Sequence, residues 1–347
     1  VSRPVTGAAS DPTSAAPDGA VPVGLDISDP VLAAAVGEGM QRVENLLHES
    51  VRSEYNFATR TSLHLVDAGG KRFRPLFTLL AAQFGDHDAE DVIKSAAIVE
   101  MVHLATLYHD DVMDEATMRR GASSANARWD NSIAILTGDF LFAQASSLVS
   151  ELGVDAVRLM ARTFEALVTG QMRETIGADE GEDAVEHYLT VVYEKTGSLI
   201  ATAGRFGAEF SGADEVHVGA LERIGRSIGI GFQISDDIID IDSPARESGK
   251  TPGTDLREGV RTLPMLYALA GEETDSRLRR LLSGPITVDH EVDEALELLR
   301  TSEGMARARR TLDRFADDAR AELDLLPAGP ARDALARLAE YVVDRTR

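Results

Sequence analysis

Two runs of aspartate are the residues in this chain whose types and spacing point most directly to chemistry: Asp110-Asp111-Val112-Met113-Asp114 and Asp236-Asp237-Ile238-Ile239-Asp240. In each, the first and third aspartates are four positions apart, so on a helix they share one face. Carboxylates crowded at the end of an apolar helix repel one another and oppose the helix dipole; a bound cation removes that cost. Magnesium suits them, because it prefers oxygen and uses one or two carboxylates together with substrate phosphates. One such cluster reads equally well as solvated surface charge. Two with identical spacing, each inside an otherwise apolar helix, favour a metal held by Asp110, Asp111, Asp114, Asp236, Asp237 and Asp240.

Phosphate bound beside such a metal needs cations, and three groups of them stand at useful places. Gly69-Gly70-Lys71-Arg72-Phe73-Arg74-Pro75 sets positive charge beside a helix start, where Pro75 suits the first turn and an anion is favoured. Arg119-Arg120-Gly121 follows the first aspartates and offers guanidinium forks that hold phosphate oxygens bidentately. Lys195-Thr196-Gly197 stands alone in an acidic stretch. Each group alone reads as surface charge about as readily; their coexistence with both aspartate clusters favours a diphosphate site.

The elements that must position these groups are helices. From Ala89 to Met113 apolar residues cover nearly the whole circumference, and from Ala220 to Ile241 Ile and Phe mix with Gly225, Gly229 and Gly231. Both patterns describe helices at the centre of a bundle, the glycines allowing close helix contact. Asp183 with Glu186 has the form of a capping box, and Asp214 precedes another apolar run. Aromatics make up only 5% of the 347 residues and few stretches alternate apolar with polar residues, so the fold class is all-α. Residues 1–30, rich in Ala, Pro, Ser, Asp and Gly, read as a disordered tail, and 31–347 as one helical domain.

Composition also excludes partners. A net charge of -23 opposes nucleic acid and anionic membrane surfaces. The lack of cysteine removes disulfides, thiolate metal sites and a cysteine nucleophile. No signal peptide is visible, and Asn131 to Ser150, interrupted by Asp139, reads as a buried core helix rather than a membrane span, which implies a cytoplasmic protein.

Taken together, Gly-Gly-Lys71-Arg72-Phe-Arg74-Pro, His103 to Gly121, Gly138-Asp139, Gly170-Gln171, Lys195-Thr196 and Gly231-Phe-Gln233-Ile-Ser-Asp236-Asp237-Ile-Ile-Asp240 through Gly249-Lys250 resemble the trans-isoprenyl diphosphate synthase family from about Val31 onward. The resemblance implies an isoprenoid synthase-like bundle of about ten or more helices around a central cavity. It implies condensation of isopentenyl diphosphate with an allylic diphosphate, by a homodimer holding three magnesium ions. On the matching positions, Lys71, Arg74, His103 and Arg120 would hold isopentenyl diphosphate. Arg119, Lys195, Thr196, Gln233 and Lys250 would hold the allylic diphosphate, and Asp110, Asp111, Asp114, Lys195, Asp236 and Asp237 would be catalytic. The chain departs from the family at Val260-Arg261, where many members place a lysine, so Arg261 receives no role.

Product length is set, in the family view, by residues below Asp110. The small Ala105 and Thr106 stand where short-chain members carry aromatics, with Met101, Val102 and Ile98 deeper along the same helix. The expected product is a linear all-trans chain of about C30 to C50, with geranylgeranyl diphosphate as the nearer alternative; Phe142 or Leu148 would lie near the tunnel floor. A terpene cyclase fits the second aspartate cluster less well. A helical metal-dependent phosphohydrolase would use His109-Asp110 but needs further histidines, and a di-iron bundle would need a second partner for Glu100-x-x-His103. A non-catalytic partner subunit would not need both aspartate clusters complete. The segment from Gly271 onward gives little functional signal, and Arg307-Ala-Arg309-Arg310 reads as a solvated helix face.

Overall fold

The structure is a computed structural model describing residues 27–242, 252–271 and 276–346. Most of the expected tail and the candidate ligand Lys250 lie outside these residues. Asp29 accepts a hydrogen bond from the N–H of Leu32 at 2.8 Å, with Pro30 in the first turn, so the first helix begins where a capped, proline-led start should.

In chain order the helices are α1 (Pro30–Ser50), α2 (Asn56–Asp67), α3 (Phe73–Ala81) and α4 (Glu90–Met113), then a hairpin of β1 (Met118–Arg119) and β2 (Ala122–Ser123), then α5 (Ala125–Arg128). Next come α6 (Asn131–Glu151), α7 (Val154–Ile176), α8 (Ala184–Val192), a π-helical turn Tyr193–Gly197, α9 (Ser198–Phe210) and α10 (Glu215–Asp242). The described chain continues with α11 (Thr254–Glu258), α12 (Leu263–Gly271), α13 (Arg277–Leu281), α14 (Asp289–Arg300), α15 (Glu303–Leu323) and α16 (Pro330–Asp344). The all-α expectation holds, and the two-stranded hairpin is the only sheet among the described residues.

The two helices expected at the centre are there. α4 is buried on every side, packed by α3, α6 and α9, while α10 lies between α9 and α15. The fit against α9 depends on the absence of a side chain at Gly225, where an added Cβ would stand 2.6 Å from the carbonyl oxygen of Ile200. Tyr108, fully buried on α4, donates to the carbonyl of Thr61 at 2.6 Å and accepts from the N–H of Leu65 at 3.2 Å, which fixes α2 beside the end of α4.

The expectation of a buried core helix over Asn131–Ser150 is corrected. α6 buries Gly138, Leu141, Ala145 and Val149 against the bundle but leaves Ile135 43% and Leu136 62% exposed. Apolar content in a sequence does not say what covers a helix, and here the bundle covers one face only. Among the described residues α6 is the one helix long and apolar enough to cross a membrane by length and composition.

Candidate active site

The first aspartate cluster closes α4. Asp110 and Asp111 are in its last turn and Asp114 is its C-cap, so the dipole's negative end adds to the crowding of charge. Burial pushes Asp110 up to about 6, Lys195 opposing the shift and Asp114 adding to it. Asp111 is wholly buried and raised by that burial; its Oδ1 receives the Nε–H of Arg119 at 2.6 Å, and its Oδ2 has no hydrogen-bond partner among the described residues. Arg119 reaches it from β1, whose two-residue turn to β2 is Arg120-Gly121 with φ of 52° and 77°. That turn type matches the twist of a tight hairpin.

The second cluster closes α10. Asp237, 4% exposed, accepts from the hydroxyl of Tyr188 on α8 and from Nε2 of Gln233 at 3.1 Å. Burial nevertheless pushes it up to about 7, the hydroxyl and amide opposing the shift. Asp236 pairs with the guanidinium of Arg345, which also lies 4.4 Å from the centre of the Phe232 ring. Asp240 accepts from the N–H groups of Thr254 and Asp255, each at 3.2 Å, and so holds the start of α11.

Between the clusters stands the π-helical turn. Lys195 acts on Asp110 from one side and pairs with Glu174, while the hydroxyl of Thr196 meets Oε1 of Gln233 at 3.5 Å, and Gln233 reaches Asp237. The turn approaches α7 closely: a Cβ at Gly170 would stand 2.7 Å from the backbone nitrogen of Lys195. The two aspartate clusters therefore face one another across Lys195 and Thr196.

The remaining cations gather about two turns back along α4, around Glu100 and His103. Arg120 gives its guanidinium to the carbonyls of Gly69 and Leu65 and lies 3.7 Å from Glu100. Arg74 is pulled down to about 10 by burial, and its Nε has no partner among the described residues. His103, two turns before Asp110, is held well below the usual histidine range by burial and by the nearby charges of Arg74, Arg120 and Arg72, so it is neutral. Lys71 is exposed, its ammonium 5.7 Å from the Phe232 ring. Arg72 plays a different part: buried, with φ of 45°, it pairs with Glu44 at 2.5 Å and Glu100 at 2.9 Å. Glu100 is thus structural, which removes the di-iron reading. His109 lies against Ile135 and Asp139 on α6 and, among the described residues, joins no group of histidines and carboxylates that could hold a metal, which removes the support for a phosphohydrolase.

All six aspartates offer oxygen only, Asp110, Asp111 and Asp237 are raised by burial, and one buried oxygen is orphaned; the set fits a hard divalent ion. Among the described residues no three carboxylates or imidazoles converge as a ready-made cage, so part of the coordination falls to a ligand. The structure separates the six by environment. Asp110 and Asp114 are reachable, whereas Asp111, Asp236, Asp237 and Asp240 are engaged by Arg119, by Arg345, by Tyr188 and Gln233, and by α11.

This constellation has a counterpart in known proteins. A polyprenyl synthetase family profile matches residues 56–299. The chain belongs to that family. It is a prenyltransferase, 58% identical to nonaprenyl diphosphate synthase of Mycobacterium tuberculosis over 94% of this chain and 98% of that one. Geranylgeranyl pyrophosphate synthase of Corynebacterium glutamicum, solved with calcium and isoprenyl diphosphate, superimposes with TM-score 0.83 at 51% identity over 92% of this chain and 99% of its own. A decaprenyl diphosphate synthase of Rhodobacter capsulatus does so with TM-score 0.84 at 35% identity, over 91% and 99%.

Two residues of this enzyme's site had no signal in the sequence. Tyr188 sits seven positions before Lys195, in a helix whose pattern reads as ordinary packing. Arg345 comes from the C-terminal segment and meets Asp236 only because α16 packs on α10.

Proposed function

We propose that this enzyme condenses isopentenyl diphosphate with an allylic diphosphate, repeatedly, to give a linear all-trans polyprenyl diphosphate of about C30 to C50. The observation that carries this reading is the pair of aspartate clusters facing one another across Lys195 and Thr196, with a second group of cations around neutral His103. The allylic diphosphate sits between the clusters and the isopentenyl diphosphate on Lys71, Arg74, His103 and Arg120. Arg119 and Lys195 stabilise charge as it develops on the leaving diphosphate. Magnesium, which the carboxylates of the two clusters, Asp110, Asp111, Asp114, Asp236, Asp237 and Asp240, would hold in the family's complement of three ions, would supply further stabilisation of that charge when bound. The carbon–oxygen bond of the allylic diphosphate breaks, the isopentenyl double bond supplies the electron pair for the new carbon–carbon bond, and a proton leaves to the departed diphosphate. Lys250 and Thr196 complete the allylic side.

Product length follows from the wall below Asp110. Thr106, half-buried and one turn below, shares its face; Ala105, Met101 and Val102 are buried in the same helix. Gly138 of α6 packs on the Ala105 carbonyl, and one turn further along α6 Phe142 meets Phe164 of α7 with ring centroids 4.0 Å apart. That pair is the proposed tunnel floor. A floor deeper than the Ala105 and Thr106 level favours long products, as does the nonaprenyl-forming relative, over the geranylgeranyl alternative.

We further propose a homodimer built on α6 and α7. Ile135 and Leu136 on the first, with Val168, Met172 and Ile176 on the second, expose more apolar surface than isolated residues account for. The cysteine-free chain, read as one domain from Val31 onward, suits a cytoplasmic enzyme. Chromatography of dephosphorylated products made from farnesyl diphosphate and labelled isopentenyl diphosphate tests the length: a ladder ending between about C30 and C50 is expected, and a sole C20 product overturns it. Light scattering at a monomer mass would overturn the dimer.

A further inference from the structure

A cleft of about 430 Å³ opens behind the hairpin, lined by Asn56, Thr59, Arg60, Leu63 and His64 of α2 and by Arg128 of α5. It adjoins a second hollow of about 530 Å³ that shares Asn56 and Arg60. The reaction described above uses none of these side chains. We propose that this cleft is a second anion site, which takes a diphosphate group apart from the aspartate clusters.

The argument starts from charge. The chain carries 58 acidic against 35 basic residues, so a guanidinium on its surface ordinarily finds a carboxylate. Arg60 and Arg128 both line this cleft, and neither forms an ion pair among the described residues. Each is instead laid over an aromatic ring: Arg60 lies 5.0 Å from the centre of Phe57, and Arg128 lies 4.8 Å from that of Trp129. A guanidinium stacked in this way is held in orientation for bidentate contact with phosphate oxygens, and Arg60 gives no hydrogen bond among the described residues while Arg128 gives one, to His64.

The backbone adds to this. Asn56, which lines both hollows, is the first residue of α2, and Tyr55 before it makes no side-chain cap. The uncapped N-terminus of a twelve-residue helix, with its positive dipole end, therefore borders the same space as the two guanidinium groups. The carboxylates nearby do not cancel them. Asp67 lines the cleft but is engaged by His48 at 3.0 Å, and Glu54 borders only the adjoining hollow.

The cleft is also tied to the catalytic cations. Arg128 can only donate, so its contact of 3.1 Å with Nδ1 of His64 makes that nitrogen an acceptor. Nε2 of His64 then carries the proton and donates to the carbonyl of Ser123 at 2.7 Å. Ser123 pairs with Met118 in the hairpin that carries Arg119 and Arg120. An anion that draws Arg128 away from His64 loosens this tie, which gives the site a route to the hairpin. Two ligands share the required chemistry, the inorganic diphosphate released at each addition and the head group of a prenyl diphosphate.

The chain's single tryptophan makes the proposal directly testable, because Trp129 lies under Arg128 and edge-on to His64 with ring centroids 5.1 Å apart. Inorganic diphosphate is titrated into the full-length protein in chelator, with Trp129 emission as the readout, and farnesyl diphosphate is titrated in parallel. A saturable change is expected in the wild type and equally in Arg74→Ala, which impairs the isopentenyl diphosphate site, and in Lys195→Ala, which impairs the allylic one. Arg60→Gln, an exposed substitution that does not touch Trp129, should weaken binding about tenfold or more. Tighter binding of farnesyl diphosphate assigns the site to a prenyl head group, and tighter binding of inorganic diphosphate assigns it to the by-product. No saturable change, or one that Arg74→Ala or Lys195→Ala abolishes and Arg60→Gln leaves intact, overturns the proposal.

Discussion

Replacing Tyr188 by phenylalanine removes one hydrogen-bond donor from Asp237 and leaves the ring that fills its place. The hydroxyl is held well above its usual titration range by burial and by Asp237, so it remains a donor throughout the working pH range. Its bond favours ionised Asp237, against a burial that already pushes this carboxyl up to about 7. A hydrogen bond to a charged group contributes about 1.5–3 kcal/mol, and a pKa unit corresponds to about 1.4 kcal/mol, so its loss raises Asp237 by about one to two units. The sign follows: at neutral pH more of the variant carries a proton on the second cluster, magnesium binding weakens, and activity recovers as pH rises. The assay is the pH dependence of kcat/KM, whose acidic limb should move upward by about one to two units, alongside calorimetric titration of magnesium into the free protein. An unmoved limb and unchanged magnesium affinity in a normally folded variant would refute the reasoning.

Other consequences are as specific. Asp110 and Asp237 are both raised above the ordinary carboxylate value, to about 6 and about 7, so the stability they allow is full below about pH 4 and is lost as pH rises through those values. These groups therefore make the metal-free protein melt lower at pH 8 than at pH 6, and magnesium should restore more of the melting temperature at pH 8. Arg345→Ala removes a partly exposed competitor from Asp236, and magnesium should bind the free protein about two- to fivefold tighter by calorimetry. Thr106→Phe, which sets a ring one turn below Asp110, should shorten the product ladder on chromatography without abolishing condensation. Gly225→Ala, with its methyl 2.6 Å from the Ile200 carbonyl, should cost about 1–3 kcal/mol in denaturant unfolding.

Much of this was legible in the residues, and what was not has physical reasons. Asp110 through Asp114 and Asp236 through Asp240 are local patterns inside single helices, so spacing placed them on their faces without knowledge of the fold. Lys195 and Thr196 were visible beside one another in an acidic stretch, although no pattern foretold the π-helical turn that sets Lys195 near Asp110 and Thr196 near Gln233. Tyr188 and Arg345 were invisible because their roles arise only where α8 and α16 meet α10. The division of the aspartates into reachable and engaged members was hidden for the same reason: Tyr188 lies 49 positions from Asp237, beyond any window of periodicity. The surface of α6 was misread because apolar content fixes that a face is to be covered, and not by what.

The central claim is that two facing aspartate clusters and a metal drive carbon–carbon bond formation from isopentenyl diphosphate. Its most direct test is magnesium-dependent incorporation of labelled isopentenyl diphosphate onto a farnesyl diphosphate primer, compared in the wild type, Asp110→Asn and Asp236→Asn. The account predicts incorporation by the wild type that chelator abolishes, and loss of at least about a hundredfold in each variant with the fold intact. Incorporation that survives both substitutions, or none by the wild type with magnesium present, would contradict it.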